Sequence, residues 1–463
     1  MSQPVGLLGR VFLAADSPRT MLHVAALLRF SPPPSPSPRY LADLADEVRA
    51  ELAVASPWNL KLARPRVGRG VAQRWEVDHA IDLDYHVRRS ALPSPGDERE
   101  LGTLISRLHG RQVDLSRPPW EMHLIEGLDD GGFAMFVKMH HALVDGYTGM
   151  RLLQRSLSTD PGDMESPILF APHRPARRPT SAASDSDAAE LARPSHLHRA
   201  LASTRSLTTA VAQTISPVGQ PHLVRPYEAP RTIFNTRIGR SRRFATQQLD
   251  LDAVRALGRE HGATVNDVCL SLVGGALRTY LGELGELPTR PLIALVPVST
   301  RPEGDPGGGN AFGAVLASLG TDIEEPRERL EAVTASMAAA KSQVAGMGQL
   351  AAVGYASLLV APMLAQVGLA AVGAPLPGPF SFNLIVSNVP GPKEDRYFRG
   401  SRLEAMYPAS LQLDAAALNI TLLSYAGTLN IGFSGDRDAV PHLQRLALGL
   451  AQSWDALRSA TTT

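Results

Sequence analysis

The sequence predicts an α/β (α+β) chain in two halves, on three observations. Strand-like and helix-like runs alternate from the N-terminus to about residue 160. They resume in mixed order from about residue 226 and continue to the end, as expected of mixed α and β layers. Between them, residues 161–225 turn rich in Pro, Ser, Ala and Arg (HRPARRPTSAASDSDAAELARPSHL) and poor in large apolar side chains. That composition buries too little apolar surface to order itself, so it reads as an interdomain linker. A surface insertion within one domain is the other reading. The expected organisation is therefore a first domain over 1–160, a linker over 161–225 and a second domain over 226–463.

The elements follow in order from their periodicities. LHVAALLRF (22–30) is an apolar run of strand length, and PPPSPSP (32–38) closes it as a rigid loop. YLADLADEVRAEL (40–52) and ELGTLISRLHGRQV (100–113) place apolar residues at helical spacing. WEMHLIEGL (120–128) and FAMFVKM (133–139) are strands separated by DDGG, a hairpin signal. Helical spacing returns in YTGMRLLQRSL (147–157). In the second half, helices are expected at 249–262, 264–284, 327–344 and 440–457. Strands are expected at PLIALVPVST (291–300), FNLIVSNV (382–389), ALNITLLSY (417–425) and TLNIGFSG (428–435), the last two joined by a tight Ala-Gly turn.

Composition excludes several function classes. The 463 residues carry a formal charge of +1, with 44% hydrophobic and 20% charged residues, as in an ordinary globular protein. Nothing in that balance points to nucleic acid or an acidic partner. One cysteine, Cys269, permits no intrachain disulfide, and its apolar helical setting reads as a core thiol rather than a nucleophile. The opening MSQPVGLLGRVFLAADSP is no secretory signal, because Arg10 and Asp16 interrupt a short apolar run. There is no G-x-S-x-G elbow, no P-loop and no G-x-G-x-x-G after a strand.

One motif carries chemistry: KMHHALVDGYTG (138–149). In the structural reading, a strand ends near Met139 and Asp145 caps the next helix. In the functional reading, a histidine at a strand end followed by a loop is well placed to accept and return a proton near neutral pH. If both lie in the strand, His140 and His141 point to opposite faces, so only one faces a given cavity. Asp145 would fix the loop through a buried ion pair with an arginine. No His-Glu-x-x-His or cysteine cluster accompanies the pair, and neighbouring strand histidines diverge, so no metal is expected.

Several stretches together resemble one family. HHALVDG matches the HHxxxDG motif of acyl-CoA-dependent acyltransferases. With it stand RPPWEMHLIEGL, GATVNDVCLSLVGGALRTYL, LVPVSTR, GNAFG (309–313), FNLIVSNVPGP and LNITLLSYAGTLNIGFSGDRD, in order over nearly the whole chain outside the linker. The set resembles the bacterial wax ester synthase/acyl-CoA:diacylglycerol acyltransferase family. Two positions depart from it: GLLG (6–9) stands where the family has Ser-Pro-Leu-Asp, and Pro119 stands where it has Leu before the tryptophan.

The resemblance implies two chloramphenicol-acetyltransferase-like domains with a tunnel at their interface. It implies that His141 deprotonates the hydroxyl of a diacylglycerol or a long-chain alcohol, which attacks the thioester of acyl-CoA directly. Acyl-CoA is then a co-substrate, with no bound cofactor. His140 and Asp145 support the site, Asn266 is the candidate oxyanion donor, and Gly146, Ser387 and Asn388 line the tunnel. Thr264 to Asp267 also has helix-capping spacing, which is the structural reading of the same stretch. Trp120 reads as a core aromatic, and Lys341 as surface charge. A carrier-dependent acyltransferase of the same superfamily and an inactive lipid-binding relative are the alternatives. Residues 342–392 contain no Asp, Glu, Lys, Arg or His. Pro362 and several glycines argue against a transmembrane helix there. The expectations are a pair of core helices, or helices that rest on a membrane or lipid-droplet surface with Leu359 and Leu364 exposed. The latter implies a cytoplasmic protein peripherally associated with the inner membrane or lipid droplets.

Overall fold

A computed structural model describes residues 2–63, 73–144, 146–166, 168–171, 222–299, 312–345, 354–356, 358–359 and 378–462. Most of the expected linker and about half of the 342–392 stretch lie outside these residues; of the linker's described residues, Ile168, Leu169 and Phe170 are buried in the first core. The first half contains β1 (Ser2–Pro4), α1 (Leu7–Ala15), β2 (His23–Ser31), α2 (Tyr40–Glu51), β3 (Leu60–Leu62) and β4 (Arg74–Val77). It continues with α3 (Leu83–His86), β5 (Val87–Ala91), α4 (Glu98–His109), β6 (Trp120–Glu126), β7 (Phe133–His140) and α5 (Gly146–Arg155). The second half contains β8 (Arg242–Asp250), α6 (Leu251–Glu260), α7 (Val265–Glu283), β9 (Ile293–Ser299), β10 (Phe312–Ser318) and α8 (Pro326–Ala345). It ends with β11 (Leu384–Pro390), β12 (Tyr397–Phe398), β13 (Ser401–Ala409), β14 (Leu418–Tyr425), β15 (Thr428–Asp436) and α9 (Leu443–Thr462).

Two six-stranded sheets carry the fold. The first has the order β12-β13-β2-β7-β6-β5 and the second β10-β9-β11-β14-β15-β8; a small β1-β4-β3 sheet flanks the first. The first sheet is not built from the first half alone. β13 pairs antiparallel with β2, from Arg402 opposite Ser31 to Ala409 opposite Ala25. Nothing in the periodicity of SRLEAMYPA announced this strand. Pro408 donates no backbone hydrogen bond, which β13 tolerates because β12 covers only its first residues, Ser401 and Arg402.

Local chemistry explains the element boundaries. α4 starts at Asp97, whose carboxylate accepts the amides of Arg99 and Glu100. Glu98 and Glu100 sit in its first turn and Arg107 and His109 in its last, which matches the helix dipole. It stops before Gly110, four residues short of the expected 113. The strand before α6 runs through Asp250, which caps that helix by accepting the Ala253 amide, so Leu249 and Asp250 are strand and cap rather than helix. α7 opens with a reciprocal capping box between Thr264 and Asp267. The β14–β15 turn has positive φ at Ala426 (41°) and Gly427 (82°), the pattern of a type I′ hairpin.

Two cores hold the layers. Val254, Val268, Leu272, Leu384, Ile420 and Phe433 are among the residues packed between the second sheet and its helices. Leu28, Trp120, Met122, Val137, Phe170 and Met406 pack on one face of the first sheet. Each fully buried side chain of this kind contributes about 1.5–3 kcal/mol. α4 lies between the sheets: Ser106 Oγ accepts the amide of Phe244 on β8 at 2.9 Å. A Cβ on Gly102 would stand 3.2 Å from the Phe244 carbonyl, so glycine suits this contact.

Candidate functional site

β7 reads FAMFVKMH and is buried along its whole length, the lysine included. Alternation puts Met135, Val137 and Met139 in the apolar core and Phe136, Lys138 and His140 on the face toward α4. Opposite His140 on β2 stands His23. Opposite Lys138 on β6 stands Glu121, and His123 lies opposite Phe136. One face of the sheet thus carries a closed polar layer beneath the C-terminal end of α4.

Lys138 and Glu121 anchor the layer. Lys138 Nζ donates to the carbonyls of Leu108 (3.0 Å) and Arg111 (2.9 Å) and lies 3.3 Å from Glu121 Oε2. A cation there meets the negative end of the α4 dipole. Burial alone would raise the Glu121 carboxyl; the His123 hydrogen bond and the Lys138 charge hold it down at about 2. Burial lowers the His23, His109 and His123 imidazoles, His109 to about 3. Neutral His109 therefore donates through Nε2 to the carbonyl of Ser410, at 3.0 Å, across to the end of β13. Ser410 Oγ lies 2.7 Å from Thr421 Oγ1 on β14, so a polar path links the two sheets.

The two motif histidines sit in different settings. His140 is the last residue of β7 and is fully buried; its Nδ1 accepts the Ala142 amide at 3.0 Å. His141 is not in the strand. It lies in the turn that follows, half-buried, with its amide bound to the Leu22 carbonyl at 2.9 Å. Its ring packs on Phe12 of α1, centroids 4.6 Å apart and planes inclined by 40°. Opposite-face alternation thus fails to describe the pair, because the strand ends between them. Asp145 lies outside the described residues, and Gly146 begins α5.

The second-half candidates gather elsewhere. Asn266, in the first turn of α7, and Asn388, on β11, both line a cavity of about 350 Å³ with Val265, Val298 and Lys341. It opens where the parallel strands β9, β11 and β14 end, the edge at which open α/β sheets receive ligands. Its walls come from the second half alone. Ser387 alternates to the other face of β11, beside Thr421 and toward the first sheet. Thr264 and Asp267 make the helix cap, and Asn266 lines the cavity.

Other expectations resolve individually. Trp120 is a core aromatic: it is fully buried, donates from Nε1 to the Trp58 carbonyl and stacks on Phe170. Cys269 is buried, and burial pushes its thiol up to about 12. Lys341 is not merely solvated, since it lies 3.9 Å from the buried Asp267 carboxylate. Leu359, expected at an exposed position, is 1% exposed and packs with Leu295, Leu316 and Tyr355, so it cannot face a membrane. Leu364 lies outside the described residues. Among the described residues no helix is long and apolar enough to cross a membrane, and no three His, Cys, Asp or Glu side chains gather as a metal site. The sequence reading missed the polar layer. Its signal was there: single charged or imidazole residues (His23, Glu121, His123, Lys138) inside otherwise apolar strands.

Comparisons with known proteins fit this architecture. The wax ester synthase/diacylglycerol acyltransferase catalytic domain matches residues 7–269, and the C-terminal domain of the same family matches 308–458. A Mycobacterium tuberculosis protein provisionally named a diacylglycerol O-acyltransferase is 47% identical, covering 99% of this chain and 98% of that one. The O-acyltransferase WSD of Acinetobacter baylyi is 35% identical over 97% of this chain and 96% of its own. The solved wax ester synthase/diacylglycerol acyltransferase of Marinobacter aquaeolei superposes with a TM-score of 0.78 at 34% identity, covering 99% of this chain and 100% of that one. The first condensation domain of the CDA synthetase shares the fold at 16% identity and a TM-score of 0.58. Matches of this extent, spanning both halves, place the chain in the wax ester synthase/diacylglycerol acyltransferase family.

Proposed function

We propose that this chain is an O-acyltransferase that moves a long-chain acyl group from acyl-CoA to the hydroxyl of a diacylglycerol, a long-chain alcohol, or both. The observation that carries the reading is the contrast within the motif. His140 is sealed in the sheet with Nδ1 already committed, while His141 stands half-buried in the turn after it. His141 is then the base. It takes the acceptor proton as the hydroxyl oxygen attacks the thioester carbon. The tetrahedral oxyanion collapses, the C–S bond breaks, and the coenzyme A thiolate leaves, with the proton returned from His141.

Asn266 is assigned as the oxyanion donor and Gly146, Ser387 and Asn388 as substrate-lining residues, with His140 and Asp145 holding the loop. Support for Asn266 and Asn388 comes from the cavity they share at the strand ends. The division into 1–160, 161–225 and 226–463 stands as a working description of the sequence. We also assign a peripheral position on the inner membrane or on lipid droplets, on the cytoplasmic side. What supports it is the insolubility of the acceptors.

The test is purified protein with labelled acyl-CoA, offered diacylglycerol and long-chain alcohol in parallel. His141→Ala should lose about a hundred- to ten-thousand-fold in turnover while remaining folded, and His140→Ala less. Full activity in the His141 variant would overturn the base. Ester formation only from an acyl carrier protein would favour the carrier-dependent alternative, and no turnover with any donor the inactive relative.

A further inference from the structure

Residues 16–22 join α1 to β2 and run beside the His140–His141 turn. Asp16 ends α1 as its C-cap, with a side chain 2% exposed. A buried carboxylate at the negative end of a helix is doubly unfavourable unless it is bound. Both of its oxygens are bound. Oδ1 accepts the Leu22 amide at 2.9 Å and stands 3.6 Å from His140 Nε2; Oδ2 accepts from the side-chain amide of Gln112. Since His140 Nδ1 accepts the Ala142 amide, the His140 proton is assigned to Nε2, facing Asp16.

Leu22 then passes the constraint on, because its carbonyl accepts the His141 amide at 2.9 Å. Two hydrogen bonds therefore separate the Asp16 carboxylate from the His141 backbone. α1 adds a second hold, setting Phe12 against the His141 ring. It can come this close because residue 9 is glycine: a Cβ there would stand 2.9 Å from Val5 Cγ1 and 3.3 Å from the Ala142 carbonyl. The loop is also pinned from the second half, where Arg242, paired with Asp436 at 3.5 Å, donates to the Arg19 carbonyl.

We propose that Asp16 is a positioning residue for acyl transfer, fixing the height and orientation of His141 through Leu22 and holding His140 beneath it. The inference rests on His141 being the base. It predicts that a defect at Asp16 slows the chemical step and leaves substrate binding nearly alone, since the carboxylate touches no substrate.

Steady-state kinetics with acyl-CoA and a long-chain alcohol test it on three variants. Asp16→Ala should lower kcat about ten- to a hundredfold, the scale of an approximately 1 Å misplacement, with the KM for acyl-CoA within about threefold. Asp16→Asn keeps an oxygen for the Leu22 amide, so it should recover most of that loss. An Asp16→Ala kcat within about twofold of the parent, or an Asn variant no better than the Ala variant, overturns the proposal. If the Ala variant does not fold, the nearly isosteric Asn variant decides: kcat close to the parent supports the hydrogen-bond role, and a hundredfold loss at an unchanged melting temperature refutes it. His141→Ala, run in parallel, separates the premises. Activity there refutes the base itself, whereas an inactive His141 variant beside a fully active Asp16→Ala refutes the positioning alone.

Discussion

The two large sheets have the same strand count and comparable helical covers, but their helix-facing sides differ in kind. Beneath α4 the first sheet carries His23, Glu121, His123, Lys138 and His140, all buried. Beneath α7 and α9 the second sheet carries Val296, Val386, Ile420, Leu422, Ile431 and Phe433. The apolar face needs only shape to be stable. The polar face costs desolvation at every residue and recovers it only when each partner is in place. The expensive layer lies directly under the motif histidines, and the inexpensive one supports the other half. Of the two helix-facing sides, the polar one is the side that carries His140 of the motif.

The largest expected break in that comparison is Lys138→Ala. It leaves the buried Glu121 with only the more distant Arg88 as a cation and takes a donor from the carbonyls of Leu108, in α4, and Arg111, just beyond it, so it should cost about 3–5 kcal/mol. Urea unfolding would measure it, and a cost below 1 kcal/mol would mean the layer holds no structural charge.

Second comes pH. His109 is held near 3 in the folded state against 6.5 in the unfolded chain. Between those values the unfolded chain binds more protons, so stability falls as pH drops below 6.5. From pH 7 to 5 the loss from this one side chain is on the order of 2 kcal/mol, with His23 and His123 adding in the same direction. Glu121, held at about 2, extends the loss below 4.5. His109→Gln, which keeps a donor for Ser410, should flatten the profile between pH 7 and 5, and an unchanged slope would contradict this.

The smallest effect belongs to the apolar side. Cys269→Ala removes one buried sulfur and should cost only about 1 kcal/mol. In the parent, a thiol-specific reagent at pH 8 should leave Cys269 unmodified until the protein unfolds, because burial both covers the thiol and holds it at about 12. Rapid labelling of the native protein would show that this side is less dry than the first.

Most strands and helices were legible because one property, apolar spacing, fixed them: β6, β7, β14 and β15 lie within a residue or two of their sequence limits. The motif histidines were legible because HHxxxDG is local. Asp16 was not. Its role depends on Leu22, Gln112 and His140, which no spacing rule connects to it. β13 was not legible either, since its partner is β2, at the other end of the sequence, and its Glu404, Tyr407 and Pro408 give no clean alternation. What escaped is what long-range pairing decides.

That pairing has a consequence for how the chain comes into being. β2 is made within the first few dozen residues, and the strand that covers its outer edge is made near the end. At ribosomal rates of about 5–20 residues per second, HVAALLRFS waits on the order of tens of seconds with one edge open. An apolar edge of that length is a site for pairing with other nascent chains. The yield of folded protein in a cell should therefore depend on what shields β2 during translation, and slowing synthesis downstream of it should increase aggregation rather than relieve it.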